Sequence, residues 1–276
     1  MEAKEGAPDP RSKNYYLAAG PELKLTRVSE HLGSLYGAAQ IFADSNAFAI
    51  AVDIDPETGD HIAKIRIRDQ PPASLGLIVS DCIHNMRQAL DHAAYSMAVL
   101  LSGTNPPPNE GTASFPIHNS AGAFRGSIAA KIGDPTKMPP DLLRALKGLQ
   151  PYSGEVGKRL AILRDLDDRA KHREVPLCHG VVQVQGGDVE GGAEIKSLAI
   201  GPLSEGETEI ARFRPTGREA EVGISGQFRI SVVFAPNSAA AGQEVAQYVD
   251  ATRRMIKEVF RTTAPHLRHL SWPESE

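Results

Sequence analysis

Apolar and polar positions along residues 75–101 repeat with the period of an α-helix. Val79, Cys82, Met86, Ala89, Ala93, Met97 and Leu100 recur at spacings of three and four, and Ile83 and Leu90 widen the stripe. At roughly 100° per residue, Asp81, His84, Arg87, Gln88, Asp91 and Tyr95 fall on the opposite face, with His92 at its edge. A polar stripe is ordinarily a solvated face. Solvated helix faces, however, are usually built from Lys and Glu, and residues 75–101 contain neither. Asp, His, Asn, Gln and Arg in their place point to a face that meets other polar groups or carries chemistry.

The same pattern predicts the other elements. Leu25, Val28, Leu32, Leu35 and Ala39 mark a helix over 21–46, preceded by a flexible tail at 1–20. Residues 48–54 and 61–67 read as a β-hairpin around Asp55-Pro-Glu-Thr-Gly-Asp60, whose residues all suit a turn. Gln70-Pro-Pro72 ends that hairpin, and Ser74 is placed to cap the central helix. Short helices follow at 121–131 and 141–149, the second opened by Pro140 and closed by Gln150-Pro-Tyr152. Residues 155–173 form a third long helix on Leu160, Leu163, Leu166 and Ala170. After Pro176 the texture changes to short apolar runs at 180–184, 194–200, 207–213, 221–224 and 228–234. Gly186-Gly187 and Gly191-Gly192 serve as hairpin turns. This predicts an antiparallel sheet of about five strands, which the earlier hairpin can join. A closing helix spans 241–264. The expected fold is α+β, one domain over 21–264: a four-helix bundle (21–46, 74–102, 140–173, 241–264) with an antiparallel β-sheet (48–68 and 177–235) inserted or appended. A tail follows at 265–276.

Composition narrows the function. The chain has 276 residues, 41% of them hydrophobic, which suffices for a substantial core. A formal net charge of −4 excludes a global basic footprint for nucleic acid and leaves only a local one. Two cysteines, Cys82 and Cys178, form no metal motif and suit a reducing compartment. Residues 1–20 lack the architecture of a signal peptide, and no apolar run is long enough to span a bilayer. A soluble cytoplasmic protein with no membrane partner is expected. There is no Gly-rich phosphate loop, no Gly-x-Ser-x-Gly elbow and no His-Glu-x-x-His.

The helix over 155–173 repeats the unusual polar face. Asp165, Asp168 and His172 share one side at spacings of three, four and seven, flanked by Arg164 and Lys171. Surface ion pairs produce the same pattern, but two such helices in one chain favour a shared site over either face alone. Packed side by side, they bring His84, Arg87, Asp91, Asp168 and His172 together. An alternative is a divalent transition metal held by His31, His84 and His172, which lie on three different helices. The repeated Glu-x-x-His of di-iron bundles is absent, and a lone helix histidine such as His31 is more often packing than ligand.

Three segments carry a resemblance. Asp81-Cys-Ile-His-Asn-Met-Arg-Gln-Ala-Leu-Asp-His92, Leu149-Gln-Pro-Tyr152 and Lys171-His-Arg173 resemble the motifs of a family of uncharacterised bacterial proteins, over most of 21–175. That family brings no established activity. This chain departs from its third motif, because Asp168-Arg-Ala-Lys171 separates the acid from Lys-His-Arg. Arg87-Gln-Ala-Leu-Asp-His92 also resembles the Arg-to-His spacing of HEPN helical bundles, many of them metal-independent ribonucleases, with Gln88 where those often carry Asn, Asp or His. This second resemblance implies RNA or a nucleotide as partner, a homodimer and no cofactor. Arg87 would stabilise phosphate charge and His92 would move a proton. His84 and Asp91 join them as candidate catalytic residues, with Asp168, Lys171, His172 and Arg173 in support. On an ideal helix Arg87 and His92 point about 140° apart, so a bend or a dimer seam is required. Three readings stand: RNA cleavage or nucleotide binding, a non-catalytic interaction or structural protein, and a metal-binding bundle.

Overall fold

The computed structural model describes residues 13–45, 47–172, 178–190, 193–198, 207–216 and 223–273. The fold is α+β. Its helices are α1 (Lys13–Asp44), α2 (Ala73–Ser102), α3 (Ala121–Lys131), α4 (Pro140–Gly148), α5 (Glu155–His172) and α6 (Val245–Thr263). Its strands are β1 (Phe48–Ile54), β2 (His61–Ile67), β3 (Cys178–Glu190), β4 (Ala193–Leu198), β5 (Glu207–Pro215) and β6 (Gly223–Phe234). Helix α2 is the hub, packed against α1, α5 and α6. Its stripe from Val79 to Met97 is buried, in one core with Leu25 and Leu32 of α1, Leu160 and Leu163 of α5, and Val249 and Ile256 of α6. Burial pushes the Cys82 thiol up to about 12, so it packs as a small apolar side chain. No helix among the described residues is long and apolar enough to cross a membrane.

The β part differs from a single five-stranded sheet. The hairpin β1–β2 joins β5 and β4 in a four-stranded antiparallel sheet ordered β1-β2-β5-β4, while β3 and β6 pair separately. The runs at 221–224 and 228–234 are one strand, because β6 continues through Gly226 opposite Gly187. Gly186-Gly187 is not a turn. It lies inside β3, where the register shifts between Gln185 and Gly187, so the glycines accommodate a bulge. Gly191 and Gly192 lie outside the described residues. Ser74 does not cap α2, which already begins at Ala73 behind an extended Pro72. Between 140 and 173 there are two helices, parted at Leu149–Gly154 by the Gln150-Pro151 step.

Helix α1 starts eight residues before the predicted boundary at Pro21, and so overlaps the expected tail. Pro21 sits inside the helix, not at its first turn. Its missing N–H deprives the Leu17 carbonyl of the usual partner four residues on. Helix α2 supplies the replacement: the Ser96 hydroxyl lies 2.6 Å from the Leu17 oxygen, closer than the 2.9 Å to His92 in its own helix. Next to this contact, Gly20 lets the helices meet. A Cβ there would lie 2.6 Å from Nδ1 of His92. Tertiary packing thus holds a proline-containing helix that local rules would end.

This account predicts a coupling between two residues. Ser96→Ala should cost about 1 kcal/mol of stability, because it strands the Leu17 carbonyl. In a Pro21→Ala background the restored N–H takes over, and the same substitution should cost close to nothing. Thermal or urea unfolding of the four-member cycle measures the difference.

Candidate functional site: a polar seam between α2 and α5

Residues 113–118 adopt no regular secondary structure and are bonded to the polar faces of α2 and α5. Phe115, Pro116 and Ile117 are buried, so their backbone groups need partners other than water. Side chains provide them. The Phe115 N–H donates to Asp91 Oδ1 at 2.9 Å, and Arg87 Nη2 donates to the Phe115 carbonyl at 3.1 Å. Arg164 Nη1 donates to the Ile117 carbonyl at 2.9 Å. Gln150, fully buried, accepts the His118 N–H on Oε1 at 3.0 Å and donates from Nε2 to the Pro116 and Leu146 carbonyls, each at 3.0 Å. Gly157 on α5 permits this: a Cβ there would meet the Gln150 carbonyl oxygen at 2.0 Å.

Arg87 and Asp91 also pair with each other one helical turn apart, at 2.8 Å. Burial raises the Asp91 carboxyl, opposed by the Arg87 charge and the Phe115 N–H. Arg87 Nη1 is buried and has no hydrogen-bond partner among the described residues. Both residues are therefore committed to holding Phe115, with one guanidinium nitrogen left over.

Beside this clamp lies a second cluster. Asp167, its side chain 2% exposed, binds His84 Nδ1 at 3.1 Å through Oδ1 and Lys171 Nζ at 2.6 Å through Oδ2. The Gln88 amide nitrogen lies 2.7 Å from His84 Nε2. With that amide donating to Nε2, the imidazole carries its proton on Nδ1 and gives it to Asp167. A buried carboxylate thus orients a histidine whose other nitrogen has only a displaceable amide on it. The His84 and Lys171 side chains are 41% and 37% exposed.

The predicted residues are distributed unevenly. His84, Arg87, Asp91 and Lys171 lie on the α2–α5 seam. Asp168 does not; it is exposed, and its neighbour Asp167 faces α2 instead. The reason is helical phase: Asp167 follows Leu163 by four residues and so continues the buried stripe. A charge on an apolar stripe, with Lys171 four residues on, was the signal available in the sequence. His92 faces the Gly20 side of α1, away from the Phe115 carbonyl that Arg87 holds, so the two do not converge within one chain. Burial and Lys24 lower the pKa of His92. The His172 side chain and all of Arg173 lie outside the described residues. His31 is half-buried on α1, and no three His, Cys, Asp or Glu side chains among the described residues converge to hold a metal ion. The burial of Gln150 has no local mark in the sequence, because a glutamine before a proline reads only as the end of a helix. No known protein family, curated protein or solved structure matches the chain.

Two expectations follow from this geometry. Gln150→Leu keeps the volume but strands the His118 N–H and two carbonyls, and should cost roughly 2–4 kcal/mol in urea unfolding. The second concerns pH. Burial first, then Lys131 and Arg164, lower the pKa of His118, whose Nε2 lies 2.6 Å from the Ser127 hydroxyl. A histidine with a folded pKa below its unfolded value stabilises fully above about 6.5 and loses that contribution as pH falls through the folded value. Stability should therefore decline from pH 7 towards 5, and His118→Gln should flatten that slope.

Proposed function

We propose that the chain cleaves RNA without a metal, as many HEPN helical bundles do, with the chemistry carried by His84, Asp167 and Lys171 in place of the Arg87–His92 pair. The observation behind this reading is the buried Asp167 carboxylate, which binds both His84 and Lys171 while leaving both side chains reachable from solvent. Held by Asp167, His84 has a fixed tautomer and a fixed direction for Nε2, the arrangement that suits a general base. Once Gln88 gives way, Nε2 accepts the proton of a ribose 2′-hydroxyl. The 2′-oxygen attacks the adjacent phosphorus, and the 5′-oxygen leaves with a proton from water. The products are a 2′,3′-cyclic phosphate and a 5′-hydroxyl. Lys171 meets the charge that builds on the phosphoryl oxygens.

A second reading, a non-catalytic interaction or structural protein, is favoured by the clamp itself. Arg87, Asp91 and Gln150, which stand out in the motifs, all bond the backbone of residues 115–118.

Incubation with single-stranded RNA in excess chelator separates the two. Cleavage to 2′,3′-cyclic phosphate ends is expected, with His84→Ala and His84→Asn both slower by about a hundredfold or more, and His84→Asn, whose amide can still donate to Asp167, close to the wild type in melting temperature. No cleavage by the wild-type protein, together with a lowered melting temperature in His84→Ala, would leave the structural reading in its place.

A further inference from the structure

Strand β1 is an edge of the four-stranded sheet, paired to β2 on one side and to nothing on the other among the described residues. Its sequence, Phe-Ala-Ile-Ala-Val-Asp-Ile, contains no Lys, Arg, Pro or Gly, the residues that ordinarily guard an edge against further pairing. Ile50, Val52 and Ile54 are 38%, 44% and 63% exposed. They stand on one face, directly opposite Ile65, Ala63 and His61 of β2. Ile65 and Ala63 are buried, and the His61 ring lies 5.5 Å from the buried ring of Phe213 on β5. An apolar sheet face thus extends outward from β5 and ends in three exposed β-branched side chains at an open edge. On the other face of β1 the only charge, Asp53, is bound by Lys64 at 2.8 Å.

We propose that β1 is a self-association edge, where a second copy of this chain adds its own β1 antiparallel and joins the two sheets across a two-fold axis through Ala51. A second copy of β1 is itself a complementary strand, because its apolar alternation is symmetric about Ala51. Antiparallel pairing about Ala51 sets Phe48 opposite Ile54 of the second copy and Ile50 opposite Val52 of the second copy, so every pair on the exposed face is apolar. On the other face Ala49 meets Asp53 of the second copy, and Ala51 meets itself. No charge faces a like charge. A strand addition of this kind is isologous, so it closes at two copies and does not propagate. This proposal is independent of the chemistry at His84.

Sedimentation analysis over a concentration series tests it, with cysteine cross-linking as a second readout. The wild-type protein should reach twice the chain mass at tens of micromolar, and the exposed-site double variant Val52→Lys/Ile54→Lys should raise the dissociation constant about a hundredfold or more. In a Cys178→Ala background, Ala51→Cys should form a disulfide-linked dimer, because residues directly opposite in an antiparallel pair sit at bridging distance. Ala49→Cys should not, since the two copies of that residue would lie about 13 Å apart. A single-chain mass at every concentration would overturn the proposal. So would a dimer that survives Val52→Lys/Ile54→Lys, or equal cross-linking at both cysteine positions.

Discussion

Much of this structure depends on satisfying the backbone of one buried segment outside any helix or sheet. Residues 115–117 are buried and 118 half-buried, without a partner strand among the described residues, and the free-energy cost of leaving their N–H and C=O groups unpaired would be several kcal/mol. Three separate stretches meet that demand: Arg87 and Asp91 on α2, Gln150 after α4, and Arg164 on α5. These residues occupy the polar faces that would otherwise be solvated. The clamp ties α2, the turn after α4 and α5 to one segment, and Gly157 lets the Gln150-Pro151 backbone lie against α5.

The same logic operates at the other side of α2. Pro21 and Gly20 are poor residues for a helix interior, yet α1 runs through both. Ser96 takes the carbonyl that Pro21 leaves open, and His92 fills the space beside Gly20. Arg87 and His92, close in sequence, therefore serve opposite neighbours. A motif defined by their spacing loses its simplest geometric basis, and the more chemically capable group is the His84–Asp167–Lys171 cluster. There a single buried carboxylate meets two partners that solvent can reach. That combination orients a base without burying it.

Apolar periodicity and turn chemistry were enough to establish the α+β class, the span of α2 to within a residue or two, the bounds of β1, β2 and α3, and the polar character of the faces on α2 and α5. Ser120 capping α3 and Asp55 closing the β1–β2 turn are equally local, since each bonds backbone N–H groups two or three residues away. What only the tertiary structure decided is which groups those polar faces meet. Periodicity puts Asp167 on the apolar stripe of α5, but it does not tell that His84 on α2 is its partner. Nor does it reveal that Gln150 is buried, that Pro21 lies within a helix, or that the β1–β2 hairpin joins β5 and β4 while β3 and β6 pair apart. Periodicity specifies a face, because it follows from the geometry of one element. Partners come from distant parts of the chain, and a sequence read element by element carries no distance between them.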